Sequence, residues 1–390
     1  MAMSLFNKIL IIICLAVVLQ PAQAQYDSSH LRISLLTCGP GQDLYSIWGH
    51  TGIRCIDTAK QADVVFNYGT FDDSDPLFYI KFTRGIMMYA VAPYAFQDFM
   101  EEYKVENRSV TEQVLQLSGA EKIKLVNALW KNTEKENRFY PYHFYADNCT
   151  TRARDVLINN IDTGIQFKDI RPRPTSTYRQ LIHGYMNSSS QAWNRFAIDV
   201  LLGNHLDEAM NNKQAMFLPD YLMKGFDSAL LRRHSLVSET NLLLPSGQKD
   251  NTSFFTPVFL FSMVLVVMIV LSFLKTKTPA GILTVLDSLF FLLTGLLGLL
   301  MLVLWIARVD NVCRNNYNLL WALPTHTVIA FVINRQKKWI RYYWLLTALI
   351  NALMLTIWKW LPQEMNNSIL LVVAILLFRS IVHFRKTNRS

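Results

Sequence analysis

Cys149 offers the richest chemistry of any residue in the chain. It sits in a polar Asn-Cys-Thr-Thr run that opens DNCTTRARDVLINN, a stretch that reads as a helix capped by Asp147 or Asn148. Val156, Leu157 and Ile158 turn that helix toward a core. Unpaired N–H groups of a first helical turn favour a thiolate, and a thiol held below its usual pKa of about 8.5 is a nucleophile at neutral pH. The same position also suits an inert core cysteine or a disulfide partner of Cys38 or Cys55. His50 is the natural base, able to take the thiol proton and return one to a leaving group, although a lone histidine equally suits a structural role. His143, six residues before Cys149 in an aromatic segment, competes with it. Asn67 can hold the imidazole tautomer, or serve a turn at Asn67-Tyr68-Gly69; Asp57 is the other orienting candidate. Tyr68 and Asn148 are candidate supports.

Other chemistries fare worse. Cys38, His50, Cys55 and Cys149 are soft ligands, but their separations form no zinc spacing and no HExxH is present, so neither a metal nor a cofactor is expected. Asp72 and Asp73 read as a solvated turn rather than paired glycosidase acids.

Several elements must position these residues. HLRISLLT reads as a strand, followed by a glycine-broken turn and further strands at about Gly49–Ile56 and Ala62–Tyr68. The turn-like DTAK makes the last two a hairpin, and pairing Ile56 with Gln61 would set His50 opposite Asn67. A slip of one residue would change which faces meet. A helix is expected over Ala120–Asn132, with Ile123, Val126, Leu129 and Trp130 as its packing stripe. Beyond it come RPRP, a helix around His183, WNRFAIDVLLGNHLDE and a PSGQKDNTS linker. WNRFAIDVLLG reads as either a buried helix or a membrane-facing surface.

Composition sets the larger frame. With 390 residues, 51% hydrophobic, 17% charged and a net charge of +9, the chain is too oily and too long for one ordinary soluble domain. Aromatic content of 12% and fourteen methionines argue against disorder. Nucleic-acid binding is not expected from the charge, which collects beside apolar runs. Residues 1–24 carry Lys8, a short apolar run and Ala22-Gln23-Ala24, the pattern of a cleavable secretory signal; an uncleaved anchor is the alternative. Cleavage would remove Cys14, and export permits but does not require a Cys38–Cys55 disulfide. Five apolar segments follow Phe255: Pro257–Leu274, Ile282–Ile306, Leu319–Ile333, Tyr342–Trp358 and Ser368–Phe384. The third and fifth are short for a core about 30 Å thick, so they must recruit flanking turns, cross a thinned region or be partly re-entrant. Lys275, Lys277, Arg335, Lys337, Lys338, Arg341, Arg385, Lys386 and Arg389 cluster on one side, leaving Arg308 and Arg314 on the other. The positive-inside rule then puts residues 25–253 outside, 254–390 in the membrane and the C-terminus in the cytoplasm.

WGHTGIRCI, VVFNYGTFD and YHFYADNCTTRARDVL together resemble the permuted NlpC/P60-like papain superfamily, in which a histidine strand precedes the cysteine helix. Within it the chain is most similar to the Lnb-type lipoprotein N-acyltransferases of Bacteroidota, and the resemblance covers nearly the whole mature chain. It implies an α+β, permuted papain-like thiol-enzyme domain in the periplasm, fused to a five-helix transmembrane domain in the inner membrane. It implies His50 as base and Cys149 as nucleophile. A phospholipid would acylate Cys149, and the thioester would pass to the α-amine of a diacylglyceryl-cysteine lipoprotein. Asp310, Arg314, Asn316, Trp321 and His326 lie near the external interface, where they would anchor, cap helices or place lipid headgroups. Relatives tend to carry an acid and an NxNLLW-like stretch here. This chain keeps Asp310 and NYNLLW, but has Asn311 where relatives often have histidine. A membrane-tethered cysteine amidase or peptidase acting on cell-wall peptides, and a non-enzymatic receptor or scaffold, are the competing readings.

Overall fold

β1 (Leu31–Cys38) is buried along nearly its whole length, which requires its sheet to be covered on both faces. The computed structural model describes residues 28–43, 45–71, 76–161, 164–247, 252–274 and 276–387. The signal-like segment, Cys14, Asp72 and Asp73 lie outside them. β1 pairs with β2 (His50–Asp57), which pairs with β3 (Ala62–Thr70), and β3 continues to β4 (Met88–Ala95). β5 (Val110–Leu115) joins the other side of β1, and β6 (Phe139–Pro141) closes the far edge on β4. Three two-residue strands, β7 (Ile165–Gln166), β8 (Leu230–Leu231) and β9 (His234–Ser235), form a small separate sheet. β10 (Val237–Leu244) then completes an antiparallel seven-stranded order β10-β5-β1-β2-β3-β4-β6.

Alternation along each strand decides which helices it carries. On one face Ile33, Leu35, Ile53 and Phe66 meet Leu125 and Leu129 of the Gly119–Thr133 helix, and Ala153 and Leu157 of the Cys149–Asn160 helix. On the other, Leu36, Cys38 and Val65 meet Phe99, Met100 and Tyr103 of the Phe96–Val105 helix. Burying a leucine side chain is worth about 1.5–3 kcal/mol, so Leu157 is a strong tether for the helix that begins at Cys149.

The hairpin register differs from the expected one. Gly52 lies opposite Asn67 and Asp57 opposite Ala62, two residues from the Ile56–Gln61 pairing. Side chains repeat every two residues, so the shift keeps His50, Gly52 and Asn67 on one face. β3 also carries a bulge: Asn67 pairs with Ala92 but Thr70 with Ala90, leaving an extra residue on β3. Cys38 lies opposite His50 and Cys55 opposite Ile33, and both are free thiols, so the disulfide that export permits is not formed here.

The C-terminal region is helical. Lys277–Ala307 and Lys338–Trp360 are long and apolar enough to cross a membrane, and Pro257–Phe273 is a shorter apolar helix. Ile369–Thr387 packs beside them. The expected third segment is not one helix. Tyr317–Leu320 is a 3-10 turn, and only His326–Val332 is α-helical, a rise of about 10 Å. Irregular backbone is tolerated at membrane depth when protein covers it. Here Gly295 and Gly298 let it lie against the long helix: a Cβ on Gly298 would fall 2.0 Å from the Ala322 carbonyl oxygen.

WNRFAIDVLLG forms the Ala192–Leu201 helix, which sits against the helical region. Val200 shares a cluster with Phe291, Trp321 and Trp344; Trp193 stacks on Phe255, and Phe196 meets Phe261.

Candidate active site

Asn148, not Asp147, caps the Cys149 helix. Its Oδ1 accepts from Thr151 N–H at 2.9 Å, its own N–H donates to Thr151 Oγ1 at 2.8 Å, and its amide donates to the Phe144 and Phe217 carbonyls. Such a cap is worth about 1 kcal/mol, and here it also ties the first turn to two loops. Asp147 is spent on Arg152. Thr150 anchors the same turn to β2, its hydroxyl 3.0 Å from that of Thr51.

Cys149 is half-buried beside His50, the first residue of β2, close enough for each side chain to shift the other's protonation. The imidazole Nε2 lies 2.8 Å from Asn67 Oδ1. That oxygen also accepts from Gly69 N–H at 2.8 Å, so it is the amide's acceptor end. Nε2 must therefore carry a proton, and Nδ1 is left for the sulfur. The bulge makes this possible by turning the chain after Asn67 so that Gly69 lies beneath the ring. A Cβ there would approach His50 Cε1 to 2.6 Å.

The electrostatics of the pair are reciprocal. Burial pushes the Cys149 thiol up, but the charge of His50, its hydrogen bond, the Thr150 hydroxyl and the Thr51 backbone outweigh that and leave it below the ordinary thiol value. Burial disfavours a charged His50, yet Cys149 and Asn67 raise it above the ordinary imidazole value. Both shifts favour a thiolate–imidazolium pair. The other described thiols behave oppositely: burial pushes Cys38 up to about 12, and Cys55 and Cys313 to about 11. A helix N-terminus favours negative charge, so the first turn of the Cys149 helix is a candidate oxyanion site.

The remaining sequence candidates are elsewhere. Asp57 caps the turn after β2 through Ala59 and Lys60 N–H. Tyr68 points to the opposite face, where its hydroxyl accepts from Asn132 at 2.9 Å. His143 Nε2 bonds the Asp310 backbone oxygen at 3.0 Å, not the cysteine. Asp310 is paired with Arg308. Cys38, Cys55 and Cys149 do not converge on a ligand set, and no metal-competent cluster of His, Cys, Asp and Glu occurs among the described residues.

NYNLLW acts as a fastening. Asn316 Nδ2 donates to the Val200 carbonyl at 2.7 Å, and Asn318 Nδ2 to the Asp199 carbonyl at 2.9 Å. These are the last carbonyls of the Ala192–Leu201 helix, which no further helical turn can satisfy. Trp321 Nε1 donates to Asn318 Oδ1, and His326 is held between the Trp321 carbonyl and the Tyr343 hydroxyl. Arg314 lies in the adjoining loop, its carbonyl packed against Gly203. Sequence reasoning did not single out Thr51, Thr150, Gly69 or Asn318. Thr51 and Thr150, each next to a predicted catalytic residue, were the available signal.

Residues 19–184 match the family model described as the Lnb N-terminal periplasmic domain, and residues 249–390 match the one described as the Lnb transmembrane domain. No curated protein and no solved structure matches the chain.

Proposed function

The chain belongs to the Lnb family, and from that premise we propose that it is an inner-membrane lipoprotein N-acyltransferase working through a Cys149 thioester. The observation that carries the reading is the contrast among thiols: of the four described cysteines, the one at a helix N-terminus beside a histidine is held toward the thiolate. The order of histidine strand before cysteine helix supports a permuted papain-like domain over residues 25–253. Residues 254–390 then form the five-span anchor, with the C-terminus in the cytoplasm.

In the first half-reaction the Cys149 thiolate adds to a phospholipid ester carbonyl. The oxyanion is met by N–H groups of the first helical turn, and His50 protonates the departing lysophospholipid alkoxide. In the second, the neutral α-amine of a diacylglyceryl-cysteine adds to the thioester. His50 accepts the amine proton, and the thiolate leaves as the amide forms. Asn67 keeps the proton on Nε2 throughout, leaving Nδ1 to work. No cofactor enters.

The test is mass spectrometry of lipoprotein N-terminal peptides from a strain whose only N-acyltransferase is this protein. Wild type yields N-acylated peptides, whereas Cys149→Ala and His50→Ala accumulate the diacyl form. Undiminished N-acylation by Cys149→Ala overturns the proposal.

A further inference from the structure

The helix Phe78–Arg84 and the start of β4 project an apolar surface beside the outer end of the long membrane helix. Ile80 and Phe82 are each 58% exposed, and Leu77 and Met88 about half exposed. The surface continues that helix's own lipid-facing side: Ile306 is 74% exposed, and Val303 and Val309 are half exposed or more. The two are joined by one side-chain and one backbone hydrogen bond. Arg308 Nη1 donates to the Phe82 carbonyl at 2.9 Å, and Val309 N–H to the Arg84 carbonyl at 3.1 Å. The outer end of a membrane helix fixes the height of the bilayer surface, so the attached helix lies at that height. Its last turn carries Lys81 and Arg84, the charge that suits lipid phosphates.

Tyr89, the residue after Met88 on β4, begins an aromatic pair on the opposite face of the strand that borders the same core as Cys149. Met88 and Tyr89 pair with Pro141 and Tyr140, and Tyr142 N–H donates to the Met87 carbonyl. The Tyr89 and Tyr142 rings stack at 4.1 Å and pack with Cys149 against the same core. Resting on the acyl-transfer reading above, we propose that Leu77, Ile80, Phe82 and Met88 insert into the outer leaflet and that the donor's acyl chain reaches Cys149 along Tyr89 and Tyr142. Exposed apolar side chains that continue a membrane helix's lipid face are expected to be covered by lipid. An aromatic wall accepts a chain without requiring polar partners.

The experiment uses full-length protein in nanodiscs and reads Cys149 acylation by intact mass with two donors: phospholipid of the disc and water-soluble p-nitrophenyl butyrate. Ile80→Glu and Phe82→Glu are expected to slow acylation by phospholipid at least tenfold and leave acylation by the soluble ester unchanged, whereas Ile80→Leu behaves as wild type. Unchanged phospholipid acylation in both Glu variants, or equal slowing with both donors, overturns the proposal. So does a defect confined to aminolysis by a lipopeptide, which would assign the surface to the acceptor. Wild type that forms no acyl-enzyme with either donor would instead refute the acyl-transfer reading itself.

Discussion

Two histidines in this molecule are both held toward the charged form, yet their surroundings differ. His50 faces a sulfur on one side and an uncharged amide on the other. His183 lies in a network of fixed charge where the Ala192–Leu201 helix meets the helical region. Its Nε2 is 2.7 Å from Asp199, and Asp199 also pairs with fully buried Arg179 and accepts from Asn366. Arg179 is shared in turn with Asp207 and the Leu202 and Gly203 carbonyls. Asp199, the partner nearest His183, is itself engaged by Arg179 and Asn366, so this network holds. Around His50 the opposite charge is that of the Cys149 thiolate, the group the proposed reaction uses as its nucleophile. On the proposed mechanism, reactivity comes from leaving one charge answered only by a group that can form a bond.

The sharpest way to break this contrast is to remove the reacting charge. Cys149→Ala should abolish acyl transfer, and His50→Ala should lower its rate by about 10²–10⁴-fold, measured as acyl-enzyme formation. The thermal midpoint should move little in either. In the same variants iodoacetamide distinguishes the thiols: at neutral pH wild type should be alkylated at Cys149 ahead of Cys38, Cys55 and Cys313, and His50→Ala should erase that preference.

The opposite change belongs to the other histidine's network. Asp199→Asn leaves Arg179 buried beside a weaker partner and should cost about 3–5 kcal/mol, read as a lower midpoint in detergent. Chemistry at Cys149 with a soluble ester should survive in the folded fraction. Gly69→Ala tests whether the imidazole depends on the bulge. The added methyl pushes His50 aside, and a misplacement near 1 Å should slow acylation by about 10²-fold with little loss of stability.

The smallest effect is a pH dependence. Burial lowers the His183 value, but Asp199 and Glu364 raise it further than burial and Arg195 lower it. A raised value means the stabilisation is complete below about 6.5 and is lost as pH rises through the folded value. For Asp199 burial raises the value, and His183 and Arg179 bring it below the ordinary one, so its contribution is lost as pH falls. The thermal midpoint should therefore decline as pH rises above about 6.5 through the folded His183 value, and His183→Gln should flatten that limb. A slope unaltered by His183→Gln would remove His183 from the account.

What the sequence disclosed follows from how local the signals are. β1, β2, β3 and the Cys149 helix have tight turns, alternation and a cap, all readable within a few residues. β4 was hidden because Pro93 interrupts it; the strand tolerates proline there because β6 pairs only with Met88–Ala90, leaving that part on an edge. β10 was hidden because it pairs with β5 across more than a hundred residues. At the site, Cys149, His50 and Asn67 were legible by type and order. Gly69 was not, because its role is the absence of a side chain beneath a ring placed by a bulge. The third apolar segment was legible as too short for a plain span, but hydropathy does not register which part of its backbone is shielded by its neighbours.

The grip of Asn316 and Asn318 on the end of the Ala192–Leu201 helix has a consequence for biosynthesis. The bonded carbonyls are made more than a hundred residues before the amides that satisfy them. Export delivers the first partner while the second is still on the ribosome or in the translocon. That end of the exported part therefore stays provisional until the later segment is inserted, and a chain cut short before Asn316 would leave it without its native fastening.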